Sequence, residues 1–137
     1  MDEIDYRILE ILRENARTTN NAIAAEVHLT EGAVRNRIKR LVEDGVIRRF
    51  TIETQPDQAE AMVLIKTRTR ASREILRKIR RYADRLFETA GQFDVAAHLT
   101  AKEIRIINET VDKLRSIDGV ISTVTLVKIA DESSIES

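Results

Sequence analysis

The chain has 137 residues, with 23 basic and 23 acidic side chains, no cysteine and a formal net charge of zero. A chain of this length forms one domain of ordinary size, or two small domains supported by oligomerisation. The absence of cysteine excludes disulfides, thiolate zinc sites and cysteine nucleophiles, and the zero net charge means that a local patch must bind any nucleic acid.

The first 45 residues predict three short helices. Residues 3–13 predict a helix with one apolar stripe. The stripe is formed by Ile4, Ile8, Leu9, Ile11 and Leu12. Thr19 is a predicted N-cap for a second helix, whose buried residues are Ile23, Ala24 and Val27. Thr30 is a predicted N-cap for a third, buried through Val34, Ile38, Leu41 and Val42. Asp44 and Gly45 end the third helix, because glycine adopts the left-handed C-terminal conformation at low cost.

The pattern changes at Val46. The stretch VIRRFTIET, residues 46–54, is rich in β-branched and aromatic residues and predicts a strand. Pro56 is the only proline and marks the best domain boundary. The predicted organisation is a helix-turn-helix domain at 1–50, a linker strand or hinge at 51–60, a second domain at 61–130 and a flexible tail at 131–137.

The second half predicts β-α-β-β-α-β. A strand over 61–69 precedes a helix over 73–86, with Ile75, Leu76, Ile79, Tyr82 and Leu86 inward. Two strands in LFETA and DVAAHLTA follow. A capping box of Thr100 and Glu103 then opens a helix, with Ile104, Ile107, Val111 and Leu114 inward. Gly119 ends that helix, and 120–130 is the last strand.

This order predicts an α+β fold, the ferredoxin-like arrangement of an antiparallel sheet with two helices on one face. Both sheet faces carry apolar side chains, among them Met62, Leu64, Val124 and Leu126 on the face opposite Val63 and Ile65. Since two helices cover only one face, the other is expected to pack against a second subunit.

The third helix concentrates positive charge. Four basic residues fall within six positions, Arg35, Arg37, Lys39 and Arg40. At about 100° per residue, Gly32, Asn36, Lys39 and Arg40 lie opposite the apolar face, with Arg35 and Arg37 at the flanks. This layout is typical of a helix in a DNA major groove, where the outer side reads bases and the flanks reach phosphates.

Each residue has a predicted part in that interface. Arg35, Asn36 and Arg40 are predicted to read bases, and Arg37 and Lys39 to hold phosphates. Gly32 lets the backbone approach closely, and the starts of the second and third helices offer amides and short polar side chains to a phosphate. The predicted phosphate contacts at these two helix starts are Thr19, Asn20, Asn21 and Thr30. A basic helix face is, however, also common on a solvated surface.

The stretch AIAAEVHLTEGAVRNRIKRLVEDGVIRRF resembles the helix-turn-helix and following strand of the Lrp/AsnC family of transcriptional regulators. Ala24, His28 and Val34 are similar to the alanine, glycine and valine that fix that motif's helix angle. His28 replaces a glycine in a left-handed turn, which histidine tolerates better than β-branched residues do. GQFD, residues 91–94, and DGVISTVTLVKI are similar to the family's effector-sensing domain, a RAM-type βαββαβ unit.

The resemblance implies a winged helix-turn-helix domain, double-stranded DNA and a free amino acid as partners, and a homodimer assembling to a tetramer or octamer. It places the amino acid near Gly91, Phe93, Asp94, Thr123 and Thr125. A carboxylate there takes the ammonium group, and loop amides and hydroxyls take the carboxylate. Without the family, Gly91 and Asp94 are turn residues and the threonines are ordinary strand formers.

Three other functions remain open. An enzyme is disfavoured, because His28 and His98 offer no nucleophile-base pair or metal spacing, and the HLT that they share predicts a threonine N-cap used twice. The second open function is a sensor that binds an amino acid and a protein partner but does not bind DNA. The third is an architectural DNA binder whose wrapping surface is residues 66–85, with nine basic and two acidic side chains.

The simpler interpretation of residues 66–85 has Arg73, Arg77, Arg80 and Arg81 facing water or pairing with Glu103, Glu109 and Asp112. No cofactor, metal or catalytic residue is expected. The acidic, periodic N-terminus is unlike a signal peptide, and no apolar stretch reaches the about 20 residues that span a bilayer. A cytoplasmic protein that makes no contact with membranes is therefore expected.

Overall fold

The computed structural model describes residues 1–54 and 58–133. The chain divides into two compact units, Met1–Thr54 and Gln55–Ser137. Pro56, on which the predicted boundary rests, lies outside the described residues together with the rest of 55–57. The last four residues of the predicted tail, 134–137, also lie outside them.

The first unit contains the three predicted helices. They are α1 (Glu3–Glu14), α2 (Asn20–Val27) and α3 (Glu31–Glu43). Thr19 caps α2 by accepting a hydrogen bond from the amide of Ala22, and Thr30 caps α3 in the same way from Ala33, as predicted. Asp2 caps α1 and forms a capping box with Asp5, so that each side chain accepts a bond from the other's backbone.

One core holds the three helices together. Its buried residues are Ile8, Leu9, Ile11, Ile23, Ala24, Val34 and Leu41. The predicted burial of Val42 is wrong, since its side chain is exposed. Val34, Ile38 and Leu41 already fill the buried stripe of α3, and Val42 lies about 100° beyond Leu41, outside that stripe.

The turn between α2 and α3 has the predicted left-handed residue. His28 has φ 59° and ψ 42° and forms the C-cap of α2. The amide of Leu29 then donates to the carbonyl of Ala24 at 3.1 Å, which closes the end of α2. This left-handed residue turns the chain between the two helices and lets Thr30 begin α3.

The predicted strand over residues 46–54 does not form, and the structure describes all of these residues. The amides of Val46 and Ile47 instead donate to the carbonyl of Leu41, after Gly45 has taken φ 75°. Ile47 packs on the three-helix core, whereas Phe50 and Ile52 are exposed. A strand needs the backbone of a neighbouring strand to bond, and the described part of the first unit offers none.

The second unit has the predicted β-α-β-β-α-β order. Its elements are β1 (Ala59–Thr67), α4 (Arg73–Arg80), β2 (Arg85–Glu88), β3 (Val95–Ala101), α5 (Ile104–Arg115) and β4 (Val120–Val127). The sheet has the order β2-β3-β1-β4, and neighbouring strands are antiparallel. This is the ferredoxin-like arrangement, so the predicted fold class is confirmed.

Helix α4 is shorter than predicted. It ends at Arg80 rather than at 86, so Tyr82 is exposed and Leu86 lies in β2. The amide of Asp84 donates to the carbonyl of His98 at 2.9 Å. From Asp84 onward the chain joins the sheet instead of continuing the helix. Backbone hydrogen bonds to β3 stabilise this stretch more than two further helical turns would.

The predicted capping box at α5 is wrong. Thr100 lies in β3 and donates its hydroxyl to the carboxylate of Asp84, while Glu103 is the N-cap and makes no side-chain cap bond. Ile104, predicted inward, is exposed because it opens the helix at the edge of the core. The other three predicted positions, Ile107, Val111 and Leu114, are buried. The shared HLT therefore marks an N-cap only at Thr30.

The two faces of the sheet have different surroundings. Directly paired residues share a face, and Val63 with Thr125 and Ile65 with Thr123 lie on the face that the helices cover. The opposite face, termed the open face, carries Met62 paired with Leu126 and Leu64 paired with Val124. Val124, Leu126 and Phe87 are exposed there. The predicted assignment of side chains to faces is confirmed.

Candidate nucleic-acid interface and effector site

The outer face of α3 is open to solvent. Asn36 and Arg40 are exposed, and so are Arg35 and Lys39. A Cβ added to Gly32 would lie 3.7 Å from a guanidinium nitrogen of Arg35, which is ordinary contact. Since the fold itself leaves room for a methyl group at Gly32, the missing side chain is not required by packing within this unit.

Two basic side chains of α3 form weak pairs along their own helix. Arg35 bonds Glu31 at 3.0 Å, and the ammonium of Lys39 lies 4.0 Å from Glu43. Exposed pairs of this kind contribute about 0.2 to 1 kcal/mol and are screened by salt. Both cations can therefore exchange their carboxylate for a phosphate at little cost.

Arg37, the other flank residue of α3, is in a different position from Arg35 and Lys39. Its Nη1 donates to both carboxylate oxygens of Asp2 at 2.8 Å and to Asp5 at 3.1 Å. The hydrogen bond from Arg37 is the main cause that lowers the pKa of Asp2 to about 2. The bonds to Asp2 and Asp5 raise the pKa of Arg37, so the guanidinium and the Asp2 carboxylate are charged together.

A groove of about 600 Å³ runs between the start of α1 and the outer face of α3. It is lined by Met1, Asp2, Asp5, Ala33, Asn36, Arg37, Arg40, Leu41 and Asp44. Asn36 and Arg40 form one wall, and the Asp2 and Asp5 carboxylates form the other. The base-reading candidates, Asn36 and Arg40, are therefore accessible and lie across the groove from the Asp2 and Asp5 carboxylates.

The starts of α2 and α3 supply the remaining predicted DNA contacts. The Thr19 and Thr30 oxygens already accept the cap bonds, which leaves each hydroxyl hydrogen able to point to a phosphate. Asn21 is exposed, whereas Asn20 is half-buried and its amide lies 3.5 Å from Glu31. Asn20 thus contacts the residue after the Thr30 cap and helps to join the two helix starts.

The basic segment at 66–85 differs from α3. Arg73, Arg77, Arg80 and Arg81 are exposed, which fits the solvated interpretation and the DNA-wrapping interpretation alike. Their predicted pairings are wrong, because the acidic residues bind neighbours in α5. Glu103 and Glu109 pair with Arg105, and Asp112 pairs with Arg115.

The effector candidates lie around one end of β1. Gly91, with φ 116°, Phe93 and Asp94 belong to the loop between β2 and β3. Ile65 pairs with Val95 on one side and with Thr123 on the other. Thr123 is therefore about two strand spacings, roughly 10 Å, from the end of that loop. Thr125 is two residues further along β4.

Asp94 is held within the subunit. Its carboxylate accepts a hydrogen bond from the amide of Thr67 at 2.9 Å and another from the Thr67 hydroxyl at 3.1 Å. The bond from the Thr67 amide is the main cause that lowers the pKa of Asp94 below its ordinary value. Asp94 is thus a fixed negative charge, with the ammonium of Lys66 at 3.8 Å.

Sequence reasoning missed two parts of these sites. Arg115 donates from its Nε to the hydroxyl of Thr123 at 2.9 Å and places a cation at one candidate effector residue. Its position in the last turn of α5 gave no separate signal. Asp2 and Asp5 were overlooked as partners of Arg37, although the spacing D-x-x-D before an apolar stripe is a capping-box signal for α1.

Within residues 1–54 and 58–133, no helix is both long enough and apolar enough to cross a membrane. Nowhere in them do three or more histidine, aspartate or glutamate side chains gather in a geometry that could hold a metal ion.

Known proteins resemble the chain over most of its length. A family model described as winged helix-turn-helix DNA-binding matches residues 1–48. The HTH-type transcriptional regulator LysM of Sulfurisphaera tokodaii is 42% identical over 127 residues, which cover 90% of this chain and 91% of LysM.

Solved structures share the fold of the whole chain. E. coli AsnC superimposes with a TM-score of 0.79 at 20% identity, covering 100% of this chain and 97% of AsnC. The regulator NMB0573 of Neisseria meningitidis, solved in complex with L-Met, has a TM-score of 0.79 at 21% identity. That match covers 98% of this chain and 93% of NMB0573.

Proposed function

Because the chain belongs to the Lrp/AsnC family of DNA-binding transcriptional regulators, which are not enzymes, we propose that a free amino acid controls how it assembles and how tightly it binds DNA. The DNA-contacting element is α3, with Arg35, Asn36 and Arg40 at base edges and Lys39 at a phosphate. The single observation that carries this assignment is the exposed outer face of α3, where Asn36 and Arg40 line an open groove.

The side chains on that face suit a major groove. Arginine pairs bidentately with guanine, and asparagine pairs bidentately with adenine. Thr19, Asn21 and Thr30 add hydroxyl, amide and backbone donors at two helix starts, where the helix dipoles favour a phosphate. Gly32 permits close approach of the backbone. In a homodimer, two copies of α3 read successive major grooves, about 34 Å apart or a multiple of it.

The open face of the sheet is the proposed dimer surface. Met62, Leu64, Val124 and Leu126 form paired apolar rows there. Apolar rows on a sheet face that no helix covers favour burial against a second copy, because their transfer from water contributes about 25 cal/mol per Å². A second level of assembly, to a tetramer or octamer, is proposed around the effector site.

The amino acid is proposed to bind near the end of β1. Asp94, a carboxylate with a lowered pKa, takes the ammonium group. The amides of the Gly91–Phe93 loop and the hydroxyls of Thr123 and Thr125 take the carboxylate. Arg115, bonded to Thr123, adds a cation for the same carboxylate. The complex of NMB0573 with L-Met, a structural relative, supports an amino acid as the class of ligand.

Thermal unfolding with each of the twenty amino acids tests the effector site. We expect one or a few of them to raise Tm, because a ligand that binds only the folded state stabilises it. Asp94→Asn should abolish that rise, whereas Asp118→Asn, a change at an exposed carboxylate on the α5–β4 turn, should leave it intact. A rise that survives Asp94→Asn would remove Asp94 from the site. No rise with any amino acid would favour an architectural DNA-binding protein.

The solution mass tests the assembly. The mass should correspond to a dimer or a multiple of it, and the amino acid that raises Tm should shift that mass. A monomer at all concentrations, with or without the amino acid, would contradict the proposal. Leu126→Glu, which places a charge on the open face in the edge strand β4, should shift the wild-type mass toward a monomer.

A further inference from the structure

Arg37 occupies a setting unlike that of the other cations on α3. Its guanidinium lies between α3 and the first turn of α1, bonded to Asp2 and Asp5 at 2.8 to 3.1 Å. Its side chain is 28% exposed, against 64% for Arg35 and 73% for Lys39. A cation that holds a phosphate must be accessible to it, and Arg35 and Lys39 meet that need better.

The partners of Arg37 have a second structural role. Asp2 accepts a bond from the Asp5 amide at 2.9 Å, and Asp5 accepts one from the Asp2 amide at 3.2 Å. These are the bonds that begin α1. Arg37 therefore completes a network of three side chains that joins the start of α1 to the middle of α3.

The network lies beside the residues proposed to read DNA. Arg37 directly follows Asn36, and Arg40 is about one turn further along the same helix. All three line the groove whose opposite wall is formed by Asp2 and Asp5. A rotation of α3 about its axis would pull the Arg37 guanidinium out of this network, so the network fixes the direction in which Asn36 and Arg40 point.

We propose that Arg37 is a positioning residue for DNA recognition: its pairing with Asp2 and Asp5 fixes the orientation of the outer face of α3, and Arg37 does not itself hold a phosphate. The proposal rests on the proposed function in one respect, namely that α3 contacts DNA.

The charges near the groove support this assignment over a phosphate contact. If Arg37 moved to a phosphate, the carboxylates of Asp2 and Asp5 would lose their cation. Both would then stand uncompensated beside an approaching DNA backbone, and Asp5, at 17% exposed, is poorly placed to be solvated instead. Unpaired carboxylates would repel the phosphates and disfavour the complex. The paired state of Arg37 is therefore also the one compatible with DNA.

A double-mutant cycle of Arg37→Met and Asp5→Asn tests the proposal, with Lys39→Met as the matched control on the same helix. The probe is a labelled duplex selected by wild-type protein from a random pool. Affinity is measured over a range of salt concentrations, and Tm is measured for each variant. The slope of affinity against salt reports how many phosphate contacts a variant has lost.

We expect Arg37→Met and Asp5→Asn each to lower Tm and to weaken binding about fivefold to tenfold. The double variant should lose little more than Arg37→Met alone, because Asp5 has no guanidinium left to bind in that background. The salt slope should stay at the wild-type value in all three. Lys39→Met should leave Tm unchanged and lower the slope by about one.

Arg37 would instead be a phosphate ligand if Arg37→Met lowered the salt slope by about one while Asp5→Asn left affinity unchanged or raised it. Should Arg37→Met fail to fold, the variant that combines Asp2→Asn with Asp5→Asn decides, since weaker binding supports the network and unchanged or tighter binding contradicts it. If the wild-type chain selects no duplex at all, the proposed function fails and this proposal fails with it. A wild-type chain that binds, with additive losses in the cycle, overturns only this proposal.

Discussion

The amide of Thr67 donates a hydrogen bond to the carboxylate of Asp94 at 2.9 Å, which ties the end of β1 to the loop that precedes β3. Thr67 is itself buried, although it is polar. Asp94 therefore stabilises the fold and is also a candidate effector residue. Different measurements test the two roles.

The stability contributed by Asp94 should depend on pH. Its hydrogen bonds lower the pKa in the folded protein below the ordinary value of 3.8. Because the folded pKa is the lower one, the contribution is complete above 3.8 and is lost as the pH falls through the folded pKa.

The variant Asp94→Asn, which keeps an acceptor but removes the charge, should have a lower Tm than wild type at pH 7. That gap should close in scans taken below pH 3.8. A gap that stays constant down to acid pH would show that the charge of Asp94 is not what stabilises this loop.

His28 should be replaceable by glycine with a gain in stability. Its left-handed backbone, φ 59°, costs a residue with a Cβ about 1 to 2 kcal/mol, whereas glycine has no such penalty. The greater flexibility of glycine in the unfolded chain offsets about 0.5 to 1 kcal/mol of that gain.

We therefore expect His28→Gly to raise the free energy of unfolding by up to about 1 kcal/mol in urea titrations, and His28→Val to lower it. The DNA affinity of His28→Gly should match that of wild type. A loss of stability with glycine would mean that the His28 side chain makes a contribution larger than the backbone strain.

Gly32→Ala should separate folding from DNA binding. The added methyl group meets only a guanidinium nitrogen of Arg35 at 3.7 Å, so the fold accommodates it. Alanine also favours the helix over glycine by up to about 1 kcal/mol. Stability should thus rise or stay level, while affinity for the selected duplex should fall, because the methyl group prevents close approach. Unchanged affinity would show that α3 does not approach DNA through Gly32.

Much of this architecture could be predicted from local patterns. The apolar period of α1, the threonine caps of α2 and α3, and the alternation in β1 and β4 each depend on a few neighbouring residues. The exposed outer face of α3 follows from the same period, which is why Asn36 and Arg40 lie where they were expected.

The errors share a different cause, which is competition from residues distant in sequence. The helix pattern of RRYADRL gives way to pairing of β2 with β3, and Thr100 bonds Asp84 rather than capping α5. The strand predicted for 46–54 lacks a partner in the described part of its unit. The bonds from Arg37 to Asp2 and Asp5 were not predicted for the same reason, because these partners are more than 30 positions earlier.

Whether the outer face of α3 reads DNA is tested by comparing Asn36→Ala with Lys39→Met on the selected duplex and on its single-base variants. We predict that Asn36→Ala weakens binding to the selected duplex and loses the preference at one base pair, worth about 1 to 3 kcal/mol. Lys39→Met should weaken binding to all these duplexes alike and lower the salt slope by about one. If both variants bind every duplex as wild type does, α3 is not the helix that reads DNA.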